Sequence, residues 1–392
     1  MLVMMTGSLL SRALLSVSMI AFLLATFSQI KSFRQLVDVF RNPLLAGMAL
    51  LFFIPFVSGL WSSNLFAWSG IIIAKLPFLL FPIAFSAGWN LSRRQWQYLA
   101  VFFILMLLVS TGWSMFVYLS DIGTIHESYL KAKTIPVPMD NDHVRFSWMV
   151  CTGVITGLML FNKAVKPVLK VLLLFAVAWF VVYLHILAAR TGLFACYLLL
   201  AAYCIYLLIK SPDKKAGIAA LTVVLIIVTV AWTLFPTLQN RFRYIRYNYE
   251  LIRDDKYISG GTDVNRVLSF KAGWKILQEY PLGIGAGDVK DKVNKWYEEQ
   301  VPGVLEQDKI FPSNEWLIHG DMAGWPAVLL FSLAVVLPFF NKQISDRFFW
   351  TGLHLVALFA FMVDSCLEVQ FGIFIYTFST LCWWKWVQSQ KR

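Results

Sequence analysis

The sequence predicts an all-α integral membrane protein with about eleven to twelve transmembrane helices and one large, partly helical loop. Three observations lead to this prediction. Of the 392 residues, 59% are hydrophobic and only 14% are charged, whereas about a quarter of the residues of a soluble domain are charged. Apolar stretches near the roughly 20 residues that span a bilayer recur along the chain. One long polar stretch interrupts them.

Eleven apolar stretches are predicted to cross the membrane, with ends placed to within several residues. Eight of them form an N-terminal bundle over residues 1–236, a polar loop occupies 237–323, and three more helices follow over 324–392. The first stretch lacks a small-residue cleavage site after its apolar run, so we interpret it as a helix and not as a signal peptide. The predicted spans cover residues 9–30, 43–60, 70–88, 98–119, 144–162, 169–187, 191–209, 217–236, 324–340, 349–366 and 370–385.

The connections between the spans differ in their content of lysine and arginine. Alternate connections hold sixteen of these residues against three, with the long loop left aside, and basic connections face the cytoplasm. The C-terminus is therefore predicted inside, and the loop is predicted in the periplasm of a bacterial inner membrane. Eleven spans place the N-terminus outside, whereas Arg12 favours an inside N-terminus if one more span or a re-entrant turn exists. The basic set is Lys31, Arg34, Arg41, Arg93, Arg94, Lys163, Lys166, Lys170, Lys210, Lys214, Lys215, Lys342, Arg347, Lys385, Lys391 and Arg392, and the other set is Lys131, Lys133 and Arg190.

Composition gives no sign of a nucleic-acid partner, a metal or a cofactor. The net charge of +12 is accounted for mainly by the cytoplasmic connections. The five cysteines lie in apolar spans and are interpreted as small buried hydrophobes, and the five histidines show no ligand spacing. Nucleophile-elbow, phosphate-loop and dinucleotide-binding motifs are missing.

Three cations are predicted at one level near the outer ends of the spans. Arg190 interrupts a largely apolar run in "YLHILAARTGLFACYLLL", where a deeply placed arginine costs about 2.5–3.5 kcal/mol or more. Its planar guanidinium suits a phosphate or carboxylate, although an anchor that reaches the headgroups from a tight turn fits equally well. Arg145 starts the fifth span and Lys75 lies just inside the third. Each alone is typical of an interfacial anchor, but together they predict a basic pocket for a diphosphate if these helices pack together.

The loop is predicted to contain an amphipathic helix. In "NRVLSFKAGWKILQEYP", four apolar residues recur at helical spacing, and Pro281 ends the run. These residues predict the apolar face of the helix. They are Val267, Phe270, Trp274 and Leu277.

Other parts of the loop are suited to anions. Residues 241–253 mix arginines with tyrosines, which is typical of an interface rich in anionic headgroups or of simple anchoring to lipid. Lys271 and Lys275 are interpreted as a solvated charged face. In "PLGIGAGDVKDKV", Gly285 and Gly287 predict backbone N–H groups free to cradle an anion, or a plain turn between two helices.

Five segments together resemble the O-antigen ligase family of membrane glycosyltransferases, over roughly residues 40–385. The family also includes O-antigen polymerases and bacterial protein oligosaccharide ligases, and the "LEVQFG" ending is most similar to members from Bacteroidota. The resemblance implies a metal-independent, inverting transfer of a glycan from a polyprenyl (undecaprenyl) diphosphate to an acceptor hydroxyl at the periplasmic face. It implies that Arg190 and Arg266, which match the family's arginines, bind the diphosphate and stabilise the charge that the departing group gains. The segments are "DNDHVRFSWMV", "HILAARTGLFACYL", "NRVLSFKAGWKILQEYPLGIGAGDVKDKV", "FPSNEWLIHGDMAGWPAVLL" and "DSCLEVQFGIFIYTF".

One position departs from the family pattern. Members carry His-Asn at the end of the loop, with the histidine at the acceptor, and this chain has Ser313 and Asn314 in that place. A serine is a poor general base. The proton is therefore expected on Glu315, His319 or Asp321, or the mechanism needs only positioning and leaving-group stabilisation. Asn314 and Glu315 are expected to contact the substrate.

These inferences predict a transferase with a polyprenyl-diphosphate-linked glycan donor, a lipid A-core or other glycan or protein acceptor, and membrane lipids as partners. O-antigen ligation is the leading prediction. Polymerisation of O-antigen or exopolysaccharide and protein O-oligosaccharide ligation are the alternatives within the class, and a lipid-linked glycan transporter or a non-catalytic binder is the alternative of another class. Asp364 and Glu368, near the outer end of the last hairpin, are interpreted as partners of the basic pocket.

Overall fold

The computed structural model describes residues 1–29, 37, 39–129, 134–210, 214–253, 257, 259–341, 344 and 346–389. All regular secondary structure in these residues is helical, which confirms the predicted all-α class. Some of the basic residues that predict the orientation lie outside the described residues, as does the side chain of Lys210. They are Lys31, Arg34, Lys131, Lys133, Lys342, Lys391 and Arg392.

The helices are connected by short segments along most of the chain. They are α1 (Leu2–Leu10), α2 (Arg12–Phe27), α3 (Pro43–Ser58), α4 (Leu65–Lys75), α5 (Pro77–Ser86), α6 (Arg93–Ser120), α7 (Ile122–Tyr129), α8 (His143–Lys163), α9 (Pro167–Leu187), α10 (Arg190–Lys210), α11 (Lys215–Leu234), α12 (Pro236–Arg253), α13 (Thr262–Glu279), α14 (Val289–Gln300), α15 (Glu315–Val336), α16 (Arg347–Val363) and α17 (Gln370–Ser389). Single 3₁₀ turns lie at Gly59–Trp61, Ala286–Asp288, Glu306–Asp308, Leu337–Phe340 and Cys366–Glu368.

Eight helical segments of the described chain are long and apolar enough to cross a membrane, so the protein is a multi-pass membrane protein. They are α3, the continuous α4–α5 segment, α6, α8, α9, α10, α11 and α15, and they correspond to the second to ninth predicted spans. The other three predicted spans coincide with shorter or less apolar helices. The first is broken at Ser11, whose backbone is extended, the tenth is the 17-residue α16, and the eleventh is α17, which contains three tryptophans and Lys385.

The chain divides into two compact units, each assembled from separate stretches of sequence. Unit 1 contains Met1–Leu15, Ser92–Ile245 and Ile344–Ala360. Its central helix is α8, which packs on α6, α9 and α10. Glycines permit these close approaches, because a Cβ at Gly153 would lie 2.6 Å from Leu107 and one at Gly157 would lie 2.6 Å from Val177.

Unit 2 contains Ser16–Leu91, Arg246–Gln343 and Phe361–Arg392. Helix α3 packs on α5 and α15, α17 packs on α5, and the helical hairpin of α13 and α14 packs on α15. A buried apolar cluster joins the hairpin to α15. It comprises Ala272, Ile276, Ala286, Val289, Val293, Tyr297, Val301, Ile318 and Met322.

A helix, α13, is confirmed where the amphipathic one was predicted, but two of the four residues of its predicted apolar face are exposed, and Leu277 is the one that is fully buried. Phe270 and Trp274 are 47% and 42% exposed. Helix α13 instead buries Ala272 and Gly273, where a Cβ on Gly273 would lie 2.9 Å from Pro312. Close packing requires small residues at this interface. The sequence prediction relied on large apolar side chains and therefore did not include them.

Helix α15 is broken where the ninth span was predicted to begin. Ala323 and Gly324 have non-helical backbone angles, and Gly324 has φ +72°. The N–H groups of Ile284 and Gly285 donate to the carbonyls of the last turn before the break, at 2.9 and 3.0 Å. The N–H of Trp325 donates to a carbonyl of the same loop, that of Pro281, at 3.0 Å. The loop after α13 thus satisfies backbone groups that the break releases, as a membrane protein requires.

Asp308 holds the far end of the polar segment together. Its carboxylate accepts hydrogen bonds from the Tyr257 hydroxyl at 2.6 Å, the Gly260 N–H at 3.2 Å and the Asn265 amide at 2.9 Å. Burial alone would raise the pKa of this carboxyl, but the hydrogen bonds outweigh it and lower the pKa below its ordinary value.

Candidate functional site

The loop of residues 364–368, between α16 and α17, binds two of the predicted cations within unit 2. The Arg266 guanidinium donates to the Asp364 carboxylate at 2.6 Å. The Lys75 ammonium donates to the Glu368 carboxylate at 2.6 Å and to the Leu367 carbonyl at 3.3 Å. These contacts confirm the interpretation of Asp364 and Glu368 as partners of the basic residues.

Lys75 is a buried cation in a membrane-spanning segment. It is the last residue of α4, where the negative end of the helix dipole favours positive charge. Its side chain is 1% exposed, whereas that of Glu368 is 14% exposed. A charge in this position needs a partner, and Glu368 supplies it from the more accessible side.

Replacing Lys75 with methionine is expected to destabilise the protein by about 3–5 kcal/mol, because Glu368 is left without compensation. The double variant Lys75→Met/Glu368→Leu is expected to recover most of this loss. The matched control is Lys163→Met, whose pair with Asp346 is also 2.6 Å long but 24% and 30% exposed, and which should cost no more than about 1 kcal/mol. The free energy of unfolding of each purified variant is measured in detergent. Equal losses of stability in Lys75→Met and Lys163→Met would contradict a special role for the Lys75–Glu368 pair.

A cavity of about 310 Å³ opens beside the Lys75–Glu368 pair. Lys290, from the first turn of α14, also lines it, together with Gly287 and apolar side chains such as Phe311. Its volume lies at the lower end of the range for small-molecule sites. Two ammonium groups and one carboxylate line it, so the cavity is suited to a small anionic group with an attached polar substituent.

The glycine loop does not cradle an anion with its backbone, which corrects one of the two readings of Gly285 and Gly287. The N–H of Gly285 donates to Met322, and the N–H of Gly287 donates to the Ser62 hydroxyl at 3.0 Å. The next carboxylate, Asp288, accepts from the N–H groups of Ser63 and Asn64 at 2.6 and 2.9 Å. These N–H groups are already occupied, so the loop is a turn that locks the hairpin onto the start of α4.

The glycines are needed for close packing. Gly285 has φ +94°, a conformation that favours glycine. A Cβ on Gly287 would overlap the carbonyl oxygen of Asn64.

Gly287→Ala is therefore expected to destabilise the protein by about 1–3 kcal/mol or more, since a backbone carbonyl must move. The control is Gly112→Ala on α6, where a Cβ meets nothing within 4 Å and alanine is the better helix former. The midpoint of thermal unfolding should fall for the first variant and stay or rise for the second. Equal midpoints would refute the close contact between the loop and Asn64.

The residues at the start of α15 hold neighbouring segments in place. The Ser313 N–H donates to the Ser269 hydroxyl at 3.1 Å, and the two hydroxyls are 3.1 Å apart. The Asn314 side chain caps α15 by accepting from Leu317 at 3.1 Å and donates to the Met362 carbonyl at 3.0 Å. A set of internal contacts thus occupies the position at which the family resemblance implies a substrate-facing residue.

Glu315, His319 and Asp321, which were expected to take the acceptor proton or to contact the substrate, are fully buried. The Glu315 carboxylate accepts from the N–H of Leu367 and so positions the 364–368 loop. The His319 ring stacks on Phe331 with centroids 4.3 Å apart, and its Nδ1 lies 2.8 Å from the Glu315 carbonyl. None of the three lines the cavity, so we assign them packing and positioning roles.

Arg190 and Arg145 lie at the same end of two helices that touch within unit 1. Arg190 begins α10 two residues after Ala188, whose φ of 47° makes a tight reversal from α9. Arg145 lies in the first turn of α8, 3.4 Å from Asp142. A Cβ on Gly192 would overlap the side chain of Ser147, so the two helices are in contact two residues beyond each arginine. The two cations therefore lie at the same end of adjacent helices.

Two features of the site were not predicted from the sequence. Lys290 lies in a run of alternating charges, where nothing distinguishes a cavity lysine from a solvated one. The 364–368 loop collects both cations because α4, α13, α15 and α17 converge on it, which no local pattern reveals. Compared with known proteins, the chain matches no family model and no curated sequence.

Proposed function

We propose that the protein is a glycosyltransferase that moves a glycan from a polyprenyl diphosphate to an acceptor hydroxyl at the periplasmic face of the bacterial inner membrane. O-antigen ligation is the specific reaction proposed. The observation that carries the proposal is the cavity that Lys75, Lys290 and Glu368 line. A fixed cation held in a membrane-spanning helix next to such a cavity fits a lipid-borne phosphate.

The reaction requires stabilisation of the negative charge on the leaving diphosphate more than covalent catalysis by the protein. The acceptor oxygen attacks the anomeric carbon from the face opposite the diphosphate, and the bond from that carbon to the diphosphate oxygen breaks. The electron pair stays on the diphosphate, whose negative charge increases. Cations placed before the reaction stabilise this state more than the bound donor. The family resemblance assigns this role to Arg190 and Arg266. Within unit 2, Lys75 and Lys290 give the cavity its own positive charge.

Glu368 is the carboxylate best placed to receive the acceptor proton. It lines the cavity, whereas Glu315, His319 and Asp321 are fully buried and do not line it. The Lys75 ammonium holds this carboxylate in place at 2.6 Å, so it can orient the acceptor hydroxyl and accept its proton while the cations stabilise the leaving group.

Ser313→Ala is expected to keep transfer within about threefold of the wild-type rate, because its hydroxyl contacts Ser269 and supplies no base. Glu368→Gln is the informative comparison and should reduce the rate by about 10²-fold, in the range of general acid–base effects. Transfer rates per folded protein, measured with a polyprenyl diphosphate-linked glycan, show whether Ser313 or Glu368 is the important group. A large loss in the serine variant and none in the glutamine variant would reverse the assignment.

Deleting the chain from its host tests the proposed role in cells. Glycan should then accumulate on the polyprenyl diphosphate at the periplasmic face and disappear from the acceptor. A transporter would leave the glycan at the cytoplasmic face. A non-catalytic binder, which the serine in place of the family histidine favours, would yield no acceptor-linked glycan when the purified protein is supplied with donor and acceptor.

A further inference from the structure

A second cleft lies between α13 and α14, on another side of the hairpin from the cavity. It has a volume of about 520 Å³ and is lined by four lysines, two tryptophans, two glutamates and two glutamines. Lys290 lines the cavity and Lys292 lines the cleft, so one short helix contributes to both sites. The proposed transfer reaction uses none of the residues of the cleft. They are Lys271, Trp274, Lys275, Ile276, Gln278, Glu279, Lys292, Lys295, Trp296, Glu299 and Gln300.

Aromatic residues place this cleft at a membrane boundary. The ring of Trp274 meets that of Trp325 edge to face, with centroids 6.2 Å apart. Trp325 begins the apolar half of α15 after the break and is 44% exposed. Phe270, one turn before Trp274, is also exposed, and Leu282 just beyond the helix is 73% exposed. Tryptophans exposed beside a spanning helix are typical of the headgroup level of a bilayer.

The charges of the cleft favour an anion. Lys275 and Lys295 have helical neighbours Glu279 and Glu299 at 3.3 and 3.8 Å. Lys292 donates to the Tyr280 hydroxyl at 2.9 Å, and Glu279 and Glu299 also interact with its charge. Four ammonium groups against two carboxylates leave a net charge of +2 in the lining, next to indole rings that tolerate the interface.

We propose that this cleft binds the phosphate headgroup of an anionic membrane phospholipid. The tryptophans lie at the level of the glycerol and upper acyl region, and the lysines surround the phosphate from two helices. Basic side chains at a bilayer surface attract anionic lipids in this way. Bound lipid would hold the hairpin, and with it Lys290, at a fixed depth relative to the membrane. The inference stands independently of the transfer reaction.

The test uses the purified full-length protein in a non-ionic detergent, titrated with phosphatidylglycerol or phosphatidylcholine and analysed by native mass spectrometry. Wild type should retain phosphatidylglycerol in preference to phosphatidylcholine. The variant K271Q/K275Q/K292Q/K295Q should bind phosphatidylglycerol about tenfold more weakly or worse. The matched control K166Q/K170Q/K214Q/K215Q removes four lysines from unit 1 and should bind like wild type.

Three outcomes would overturn the proposal. They are equal phosphatidylglycerol binding by wild type and the cleft variant, equal losses in the cleft and control variants, and lysine-dependent binding of a soluble phosphorylated disaccharide with no lysine-dependent lipid binding. The last result would make the cleft a saccharide site. If the fourfold variant does not give a monodisperse folded protein, K275Q/K292Q replaces it, with an expected loss of about threefold.

Discussion

Arg190→Ala is expected to reduce glycan transfer by about 10²- to 10³-fold, the range measured when a preplaced charge-stabilising donor is removed. The guanidinium starts α10 directly after a tight reversal, so its position is set by backbone geometry and not by a flexible loop. Arg190→Lys should recover only part of the rate, because an ammonium group lacks the planar fork that matches a phosphate.

Arg12→Ala is the control for this experiment. Arg12 also belongs to unit 1 and has an ion pair, with Asp140 at 2.8 Å, but both side chains are more than half exposed. Its removal should leave the amount of protein and of acceptor-linked glycan unchanged. A normal amount of acceptor-linked glycan, in a strain whose only copy of this chain is a normally expressed Arg190→Ala variant, would show that Arg190 has no role in the mechanism.

Arg266→Ala is expected to cause a loss of similar size. Its ion pair with Asp364 allows two explanations of such a loss, since the arginine could serve only to hold the 364–368 loop. Asp364→Asn separates them, because it removes the ion pair and keeps the guanidinium for the diphosphate. A diphosphate-binding arginine predicts a rate within about threefold of wild type for Asp364→Asn and near-complete loss for Arg266→Ala.

A purely structural arginine predicts a different pattern, in which Arg266→Ala and Asp364→Asn both lose activity and both lose stability. The unfolding midpoint of each purified variant is the second readout. Arg266 is 26% exposed and Asp364 is 11% exposed, so the midpoint should fall modestly in both cases. Activity that follows the midpoint across the two variants would contradict diphosphate binding by Arg266.

The sequence predicted the class of fold because the bilayer imposes a simple rule on length and apolarity. The eight segments that are long and apolar enough to span a membrane all coincide with predicted spans. The first span was harder to place because Ser11 breaks it within an unbroken apolar run. The break in α15 depends on the loop that carries Gly285, a partner from a different part of the chain.

The charged residues of the site could be predicted from the sequence, but the residues that they contact were harder to predict. Lys75, Arg145 and Arg190 were found because a cation is rare in an apolar run. Asp364 and Glu368 were interpreted as counter-charges, and they pair with Arg266 and Lys75. The glycine loop shows the limit of a local pattern. The spacing of Gly285 and Gly287 fits an anion cradle as well as a tight turn, and only the positions of Ser62 and Asn64 decide for the turn. His319 was a reasonable base by residue type, but burial against Phe331 sets its role.

The most direct measurement is transfer by the purified protein alone, supplied with a glycan on a polyprenyl diphosphate and with an acceptor that carries a free hydroxyl. The account predicts acceptor-linked glycan and an equal amount of released polyprenyl diphosphate, with both products reduced at least about 100-fold in Arg190→Ala and Arg266→Ala. Wild-type protein that binds the donor and yields neither product, or arginine variants that yield both at the wild-type rate, would contradict it.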